Sequence, residues 1–273
     1  MLKGKVNELL EIKHVSKTFN PNTITEKKAL RNISLKLDEG DFVTIIGGNG
    51  AGKSTLLNMI AGVYPIDCGR ILLDGIDLSL QPQYKRASMI GRVFQDPMMG
   101  TAADMEIQEN LAFANRRGKK RGLCWGVRND EKSDLKKALA RLDLGLEERM
   151  NAKVGLLSGG QRQALTLLMA TMMKPKLLLL DEHTAALDPK TAKKVLNLTQ
   201  EIVEESNLTA LMVTHNMKDA ITIGNRLIMM HEGRIIYDVK GEEKKMLTVE
   251  DLLKKFEQAS GEQFSNDRMM LSK

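Results

Sequence analysis

The sequence has few cysteines, few aromatic residues and no long apolar run. Its two cysteines, Cys68 and Cys124, are far apart, which argues against a disulfide framework or a zinc site and is typical of a reducing compartment. No apolar stretch is long enough to span a bilayer, and the N-terminus lacks the apolar segment of a signal peptide. We therefore expect the protein to stay in the cytoplasm.

The overall composition is that of a globular protein with a sizeable core. Hydrophobic residues make up 42% of the 273 positions and charged residues 28%, which suffices for one large α/β domain or two small ones. The formal net charge is +6. That charge permits a nucleic acid, an anionic membrane surface or a nucleotide as partner and does not choose among them.

Residues 42–63 contain the most informative pattern in the chain. An apolar run predicts a buried strand, a glycine-rich turn follows, and the next residues open a helix with one apolar face. This order, strand, G-x-x-x-x-G-K-S, helix, is that of a phosphate-binding loop, in which backbone N–H groups and the helix N-terminus surround an anion. Lys53 can reach the β/γ-phosphates and the Ser54 hydroxyl can hold Mg²⁺. The pattern predicts a nucleotide site formed by Gly47, Gly48, Asn49, Gly50, Ala51, Gly52, Lys53, Ser54 and Thr55.

The segments around this loop predict an α/β fold. Residues 8–19 and 29–40 have the pattern of strands, and with residues 42–46 they predict an antiparallel β layer leading into the phosphate loop. Continuous apolar runs at 176–180 and 208–214 are typical of central parallel strands. The predicted fold class is a P-loop NTPase core with a mostly parallel central sheet, an antiparallel β subdomain and an inserted α-helical subdomain.

The inserted helical subdomain is expected at about 98–174, where glycine becomes rare and helical periodicity replaces strand runs. It belongs to a nucleotide-binding domain that we place at residues 1–240, followed by a short charged helical tail at 241–273. The insert contains a basic cluster that is either a solvated loop or a contact to anionic lipid headgroups or to an acidic partner. The cluster consists of Arg116, Arg117, Lys119, Lys120 and Arg121.

Polar side chains stand at the ends of the predicted central strands. Asp181 and Glu182 follow an apolar run, where Asp181 can hold Mg²⁺ and Glu182 can act on a water that attacks the γ-phosphate. The alternative for this acidic pair is the ordinary preference for negative charge at a helix N-terminus. Gln95 ends another strand, and its amide could complete the metal shell or orient a water.

Four further positions are candidates for a role at the site or in a local turn. His215 is a γ-phosphate contact or a structural histidine, and Phe19 stacks on a nucleotide base or packs under the sheet. Asp188 precedes Pro189 and could be a turn former. Ser158 begins a Gly-Gly turn and is a candidate N-cap for a long helix.

Together these pieces resemble the ATP-binding cassette (ABC) ATPases. The resemblance covers residues from about 10 to 238 in order and spacing, and its most specific piece is the signature turn LSGGQ at 157–161. Two positions depart from the family pattern: Gly48 stands where many members have proline or serine, and His183 where proline is common. The segment DEHTAALD at 181–188 is similar to the corresponding segment of a bacterial importer subgroup. Some members of that subgroup resemble transport systems for aromatic amino acids.

The resemblance implies ATP and Mg²⁺ as cofactors and assigns a role to each residue. It makes Phe19 the base-stacking aromatic, Lys53 the phosphate lysine, Glu182 the catalytic base and His215 the γ-phosphate switch. It implies a Mg²⁺ shell of Ser54, Gln95 and Asp181. It also implies that the signature residues serve the nucleotide of a second subunit, with Asp188 at that interface; these residues are Ser158, Gly159, Gly160 and Gln161.

The implied function is that of the ATPase subunit of a membrane transporter, most simply a bacterial small-solute importer, with an amino acid as one candidate solute. The implied partners are an identical or related second cassette, integral membrane permease subunits docking near residues 95–105, and a separate solute-binding protein. The chain would lie on the inner face of the cell membrane. The alternative is a soluble cassette ATPase acting on nucleic acid or the ribosome; such proteins usually have two cassettes or a long coiled-coil insert, so no nucleic acid is expected.

Overall fold

The computed structural model describes residues 8–119 and 126–260. These residues form two compact units. The first unit contains the described residues up to Arg86 and from Asn207 onward, and the second consists of Ala87–Ser206. Among the described residues no helix is both long and apolar enough to cross a bilayer.

The first unit contains a four-stranded antiparallel sheet. Its strand order is β2-β1-β4-β5, and β1 pairs antiparallel with both β2 and β4. Alternating buried and exposed residues along β2 show why this sequence forms a half-buried strand. The bounds are β1 Glu8–Phe19, β2 Lys27–Asp38, β4 Cys68–Leu73 and β5 Ile76–Asp77.

The strand that leads into the phosphate loop, β3 (Phe42–Gly47), does not join this antiparallel sheet, so that part of the prediction is wrong. A turn closed by the Asp41 N–H and the Asp38 carbonyl redirects the chain after β2. All six residues of β3 are buried, which is typical of a parallel strand covered on both faces. Accordingly β3 pairs in parallel with β8 (Thr209–Val213) and with β9 (Arg226–His231).

The remaining elements of the first unit surround β3. Strand β10 (Arg234–Lys240) pairs antiparallel with β9, so the two strands form a hairpin. The helices are α1 Lys53–Ala61, α2 Gln83–Arg86, α7 Met217–Thr222, α8 Glu242–Lys245 and α9 Val249–Ser260. One apolar core cluster contains residues of β3, α7, β9, β10 and α9, namely Ile46, Met217, Ala220, Leu227, Met229, Val239, Leu252 and Phe256.

Helices α8 and α9 pack against this body. Leu252 and Phe256 of α9 are buried in the cluster just described. Lys244 of α8 is buried, and its ammonium donates hydrogen bonds to the carbonyls of Ile223 and Gly224 just after α7. Burial lowers the pKa of Lys244 to about 8. The predicted helical tail is therefore helical and rests on the first unit as far as residue 260.

The second unit combines a strand pair with helices. Strands β6 (Ile90–Val93) and β7 (Leu177–Asp181) pair in parallel, as predicted for central strands. The helices are α3 Ile107–Asn115, α4 Asn129–Ala140, α5 Gly159–Thr171 and α6 Pro189–Glu205. Their apolar faces share one core that includes Ile107, Leu111, Leu135, Leu139, Leu165 and Leu168.

The basic cluster in this unit is less solvated than the loop interpretation implies. Arg116 is half-buried, and its guanidinium pairs with Glu131 of α4 at 3.0 Å. Arg117 is also half-buried, and burial lowers its pKa. Lys119 is exposed, whereas Lys120 and Arg121 lie outside the described residues. Part of this cluster therefore fixes the end of α3 against α4.

Candidate nucleotide site

The phosphate loop curls between β3 and α1 in the first unit. Gly52, immediately before α1, has φ +101°, and a Cβ at this position would lie 2.5 Å from the Ala29 carbonyl oxygen, so only glycine fits there. Lys53 is only 6% exposed. Its ammonium donates to the carbonyls of Gly47 at 2.7 Å and Gly48 at 3.1 Å. The loop therefore holds a buried cation at its centre, which suits it to a phosphate.

A hairpin from the far end of the chain fastens this loop. The N–H of Gly233, in the turn between β9 and β10, donates to the Ala51 carbonyl at 3.0 Å. The Gly233 carbonyl in turn accepts from the Arg31 N–H in β2 at 2.8 Å. No local sequence pattern indicated that this turn supports the phosphate loop.

Phe19 and His215 belong to the same unit as the phosphate loop. Phe19 ends β1 and is half-buried rather than part of the core, which disfavours its packing under the sheet. Its ring meets the Tyr64 ring edge-on, with centroids 5.2 Å apart and an interplanar angle of 82°. His215 is half-buried two residues after β8, and the following residue, Asn216, caps α7 by accepting from the Lys218 N–H.

Asp181 and Glu182 end β7 in the second unit. Asp181 is the last residue of the strand, and one of its carboxylate oxygens lies 3.8 Å from the Arg92 guanidinium of β6, with both side chains mostly buried. Glu182 has φ +47°, a left-handed conformation that is uncommon for a residue with a Cβ. The backbone therefore turns sharply at Glu182, directly after the buried strand.

Arg92 and Gln163 connect Asp181 to the segment of Gln95. The Arg92 guanidinium lies 4.4 Å from the centre of the Phe94 ring. The Phe94 carbonyl accepts from the fully buried amide of Gln163 in α5 at 3.1 Å. Gln95 itself is exposed beyond the end of β6. Sequence analysis missed Arg92 and Gln163, although a charged residue inside the apolar run of β6 was a signal for the first.

The signature turn forms a capped helix start. The Ser158 hydroxyl accepts from the Gln161 N–H and the Gln161 side chain accepts from the Ser158 N–H, both at 3.2 Å, which is a reciprocal capping box. This confirms Ser158 as the N-cap of α5. A Cβ at Gly160 would lie 2.1 Å from the Thr191 methyl of α6, so glycine at 160 permits the close approach of α5 and α6.

Asp188 is the N-cap of α6. Its carboxylate accepts from the Thr191 N–H at 3.1 Å, and Pro189 occupies the first position of the helix. Hydrogen bonds from Thr191 hold the pKa of Asp188 below its usual range. The interpretation of Asp188 as a turn former before Pro189 therefore describes its local role.

His183, one of the two departures from the family pattern, is a core histidine. It is 2% exposed, and its Nε2 lies 3.0 Å from the Thr199 hydroxyl of α6. That hydroxyl already donates to the Val195 carbonyl at 2.7 Å, so we assign the Nε2–H of His183 as the donor to Thr199. Burial lowers the pKa of His183 to about 4, which keeps the ring neutral.

The predicted site residues therefore fall into two sets. The first unit contains the phosphate loop (47–55), Phe19 and His215, and the second contains Gln95, Asp181, Glu182, Asp188 and the signature turn (158–161). Among the described residues no group of three or more histidine, cysteine, aspartate or glutamate side chains could hold a metal ion. Ser54 in the first unit, and Gln95 and Asp181 in the second, each have an oxygen atom of the kind that Mg²⁺ takes as a ligand, and Mg²⁺ is usually held by few protein ligands together with phosphates.

A comparison with known protein families identifies the family of this chain. The model of the ABC transporter family matches residues 30–185, more than half of the chain. The chain belongs to the ABC transporter family. This match confirms the predicted P-loop fold class and the predicted ATPase activity. ATP binding follows from the same match.

Similarity to individual cassette proteins supports this assignment. A tyrosine transport ATP-binding protein of Clostridioides difficile is 48% identical over 256 residues, which cover 92% of this chain and 100% of that protein. A spermidine/putrescine import ATP-binding protein of Haemophilus influenzae is 36% identical over 231 residues, covering 84% of this chain and 57% of that protein. A dimeric ATP-binding cassette in a post-hydrolysis state, bound to ADP and Pi, superposes with a TM-score of 0.73 at 30% identity, covering 85% of this chain and 98% of that one.

Proposed function

We propose that this ABC cassette is the ATP-hydrolysing subunit of a bacterial importer of small solutes. The observation that supports it most is the similarity over the full length of a tyrosine transport ATP-binding protein. Two cassettes arranged head to tail would each contribute a phosphate loop and a signature turn, and the dimeric form of a related cassette supports such a pair. Closing of the pair on ATP and its opening after hydrolysis would drive the permease.

The proposed chemistry gives a role to each residue of the site. Phe19 stacks on the base, the phosphate loop and Lys53 bind the phosphates, and His215 contacts the γ-phosphate. Ser54, Gln95 and Asp181 would hold Mg²⁺, which when bound neutralises phosphate charge. The Glu182 carboxylate accepts a proton from the attacking water. Ser158, Gly159, Gly160, Gln161 and Asp188 serve the nucleotide on the partner cassette.

Exposed apolar side chains of the second unit support docking to membrane subunits. Met98 and Met99 lie in a 3-10 turn just after Gln95, and Phe113 and Leu156 are also exposed. Apolar side chains that form one contiguous patch mark an interaction site, and we propose that these side chains form such a patch. Contact there with integral permease subunits would place the cassette on the inner face of the membrane, and a separate solute-binding protein would deliver the solute.

An aromatic amino acid such as tyrosine is the proposed solute. The similarity to the Clostridioides difficile protein supports it, because the compared regions include all of that protein. Uptake of labelled tyrosine should fall in a strain that lacks this gene and return with the wild-type gene. Return with the Lys53→Ala variant would contradict ATP-driven uptake, and unchanged tyrosine uptake in the deletion strain would exclude tyrosine as the solute.

The experiment that tests the proposed function is purification of the tagged chain from its own cells in mild detergent. A polytopic membrane protein in near-equal amount is the expected result. Ribosomal proteins or DNA-bound factors without a membrane protein would favour the soluble alternative. Glu182→Gln should in addition stop turnover and trap an ATP-bound dimer, which size-exclusion chromatography detects; unchanged ATP turnover would remove Glu182 as the base.

A further inference from the structure

Phe19 is held by neighbours that its sequence context did not indicate. Tyr64 lies three residues beyond the end of α1, and its ring meets the Phe19 ring edge-on at a centroid distance of 5.2 Å. Tyr64 is 36% exposed and Phe19 is half-buried, so the contact lies at the surface of the first unit. Edge-on pairs of this kind orient rings because the positive edge of one ring faces the negative face of another.

A buried lysine contacts the same ring. Lys17 precedes Phe19 by two residues on β1. Its ammonium lies over the Phe19 ring, 5.7 Å from the centroid. At 8% exposure this charge needs a partner, and Asp67 supplies it at 2.6 Å.

Asp67 ties these groups to the backbone of β1. Its second carboxylate oxygen accepts from the Thr18 N–H at 2.6 Å, next to Phe19 in the chain. The Asp67 N–H donates to the Ser16 carbonyl at 3.1 Å. The segment from Tyr64 to Asp67 is thus fastened to β1 through both its side chains and its backbone. The Lys17 ammonium lies over one face of the Phe19 ring, and the Tyr64 ring fixes the orientation of that ring.

We propose that Tyr64, Lys17 and Asp67 are positioning residues that hold Phe19 as a preorganised platform for the nucleotide base. The inference rests on the proposed base-stacking role of Phe19. The base stacks on the face of Phe19 opposite Lys17. Because the ring is already oriented before the nucleotide arrives, less rotamer entropy is lost on binding, and the affinity for the base increases.

The test measures affinity for ATP and for inorganic tripolyphosphate by titration calorimetry, with the full chain in EDTA so that no hydrolysis occurs. Tyr64→Leu should raise the Kd for ATP about three- to tenfold, the range expected for one aromatic pair. The matched variant Tyr64→Phe keeps the ring and should stay within about twofold of the wild type. Neither variant should change the Kd for tripolyphosphate, because that ligand has no base.

A double-mutant cycle separates positioning from general stability. Phe19→Ala should raise the Kd for ATP by about tenfold or more, and adding Tyr64→Leu to it should have no further effect, since Tyr64 acts through Phe19. Lys17→Met should raise the Kd for ATP about two- to fivefold and leave that for tripolyphosphate unchanged.

Two outcomes would overturn the inference while leaving the proposed function intact. One is an equal loss of affinity for ATP and tripolyphosphate in Tyr64→Leu, which would make Tyr64 a structural support of the fold. The other is an unchanged Kd for ATP in Tyr64→Leu together with a raised Kd in Phe19→Ala. If Phe19→Ala itself binds ATP like the wild type, the base-stacking role in the proposed function fails, and the inference fails with it.

Discussion

The chain contains two helix starts that are suited to an anion, and they are built differently. Helix α1 follows Gly52, which has no side chain to cap it, and Lys53 places a buried ammonium at its first position. Helix α5 follows Ser158, whose side chain and that of Gln161 cap the helix reciprocally. We therefore expect a bound phosphate to complement the first helix end, whereas the second is already stabilised by its own residues.

The difference fits the proposal that the phosphate loop of one cassette and the signature turn of another bind the same nucleotide. The phosphate loop has the cation and the enclosing backbone, so it can bind a nucleotide within a single chain. At the signature turn the Ser158 oxygen is occupied as an acceptor for the Gln161 N–H, and the hydroxyl still has its own proton to donate. A donor of this kind adds one contact to a phosphate that is already bound elsewhere. This fits its proposed service to the nucleotide of a partner cassette.

The largest effect is expected on the phosphate-loop side. Lys53→Ala removes the buried cation, and the Kd for ATP should rise by about a thousandfold, as for the loss of a preorganised charged donor. Titration calorimetry measures it. Lys28→Ala, at an exposed lysine of β2, is the matched control and should bind ATP like the wild type. If Lys53→Ala bound ATP with wild-type affinity, the buried ammonium would not distinguish the start of α1 from that of α5.

The next effect concerns His183, which joins the segment after Glu182 to α6. The unfolded chain protonates His183 near pH 6.5 and the folded chain only at about 4, so the unfolded state binds a proton that the folded state excludes. Stability present above pH 6.5 should therefore be lost as the pH falls toward 4, by up to about 3 kcal/mol. Urea unfolding without nucleotide measures this loss.

His183→Gln should flatten that pH dependence, because glutamine does not titrate. His14→Gln, at an exposed histidine, is the control and should retain the slope of the wild type. An unchanged slope in His183→Gln would mean that another group causes the loss.

A third prediction tests the close contact behind the signature turn. Gly160→Ala places a methyl group against Thr191, and the resulting overpacking should cost about 2 kcal/mol and lower ATP turnover about tenfold or more. ATP binding to the phosphate loop should not change. Thr191→Ser removes the clashing methyl group, so the double variant should recover most of the stability. If the double variant did not recover stability, the contact with Thr191 would not be the reason why residue 160 is a glycine.

The smallest effect is expected at the signature cap. Ser158→Ala removes the acceptor for the Gln161 N–H and should destabilise the chain by about 1 kcal/mol in urea unfolding. Ser158→Thr retains a hydroxyl acceptor and should recover most of that loss. A Ser158→Ala chain as stable as the wild type would mean that the capping box contributes nothing to the second helix start.

Local features of the site could be predicted from the sequence, because local rules govern them. The glycine-rich turn after β3, the Ser158 cap and the strand ending at Asp181 each depend on a few consecutive residues. The sheet partners of β3 could not be predicted, since both come from residues after 207 and an apolar run does not specify its neighbours. The contacts of Arg92 with Asp181 and of Tyr64 with Phe19 join residues 89 and 45 positions apart in the chain, and no local pattern encodes such contacts.

The Gly233 turn that fastens the phosphate loop has a consequence for synthesis of the chain. Residues 47–53 are made early, but the N–H that holds Ala51 and the two strands that flank β3 are made only after residue 207. Contacts of such high sequence separation form late, because the intervening chain must be ordered first. A nascent chain on the ribosome is therefore expected to complete its phosphate loop only after the residues up to Gly233 have emerged, so nucleotide binding would report that β8, β9 and the Gly233 turn are in place.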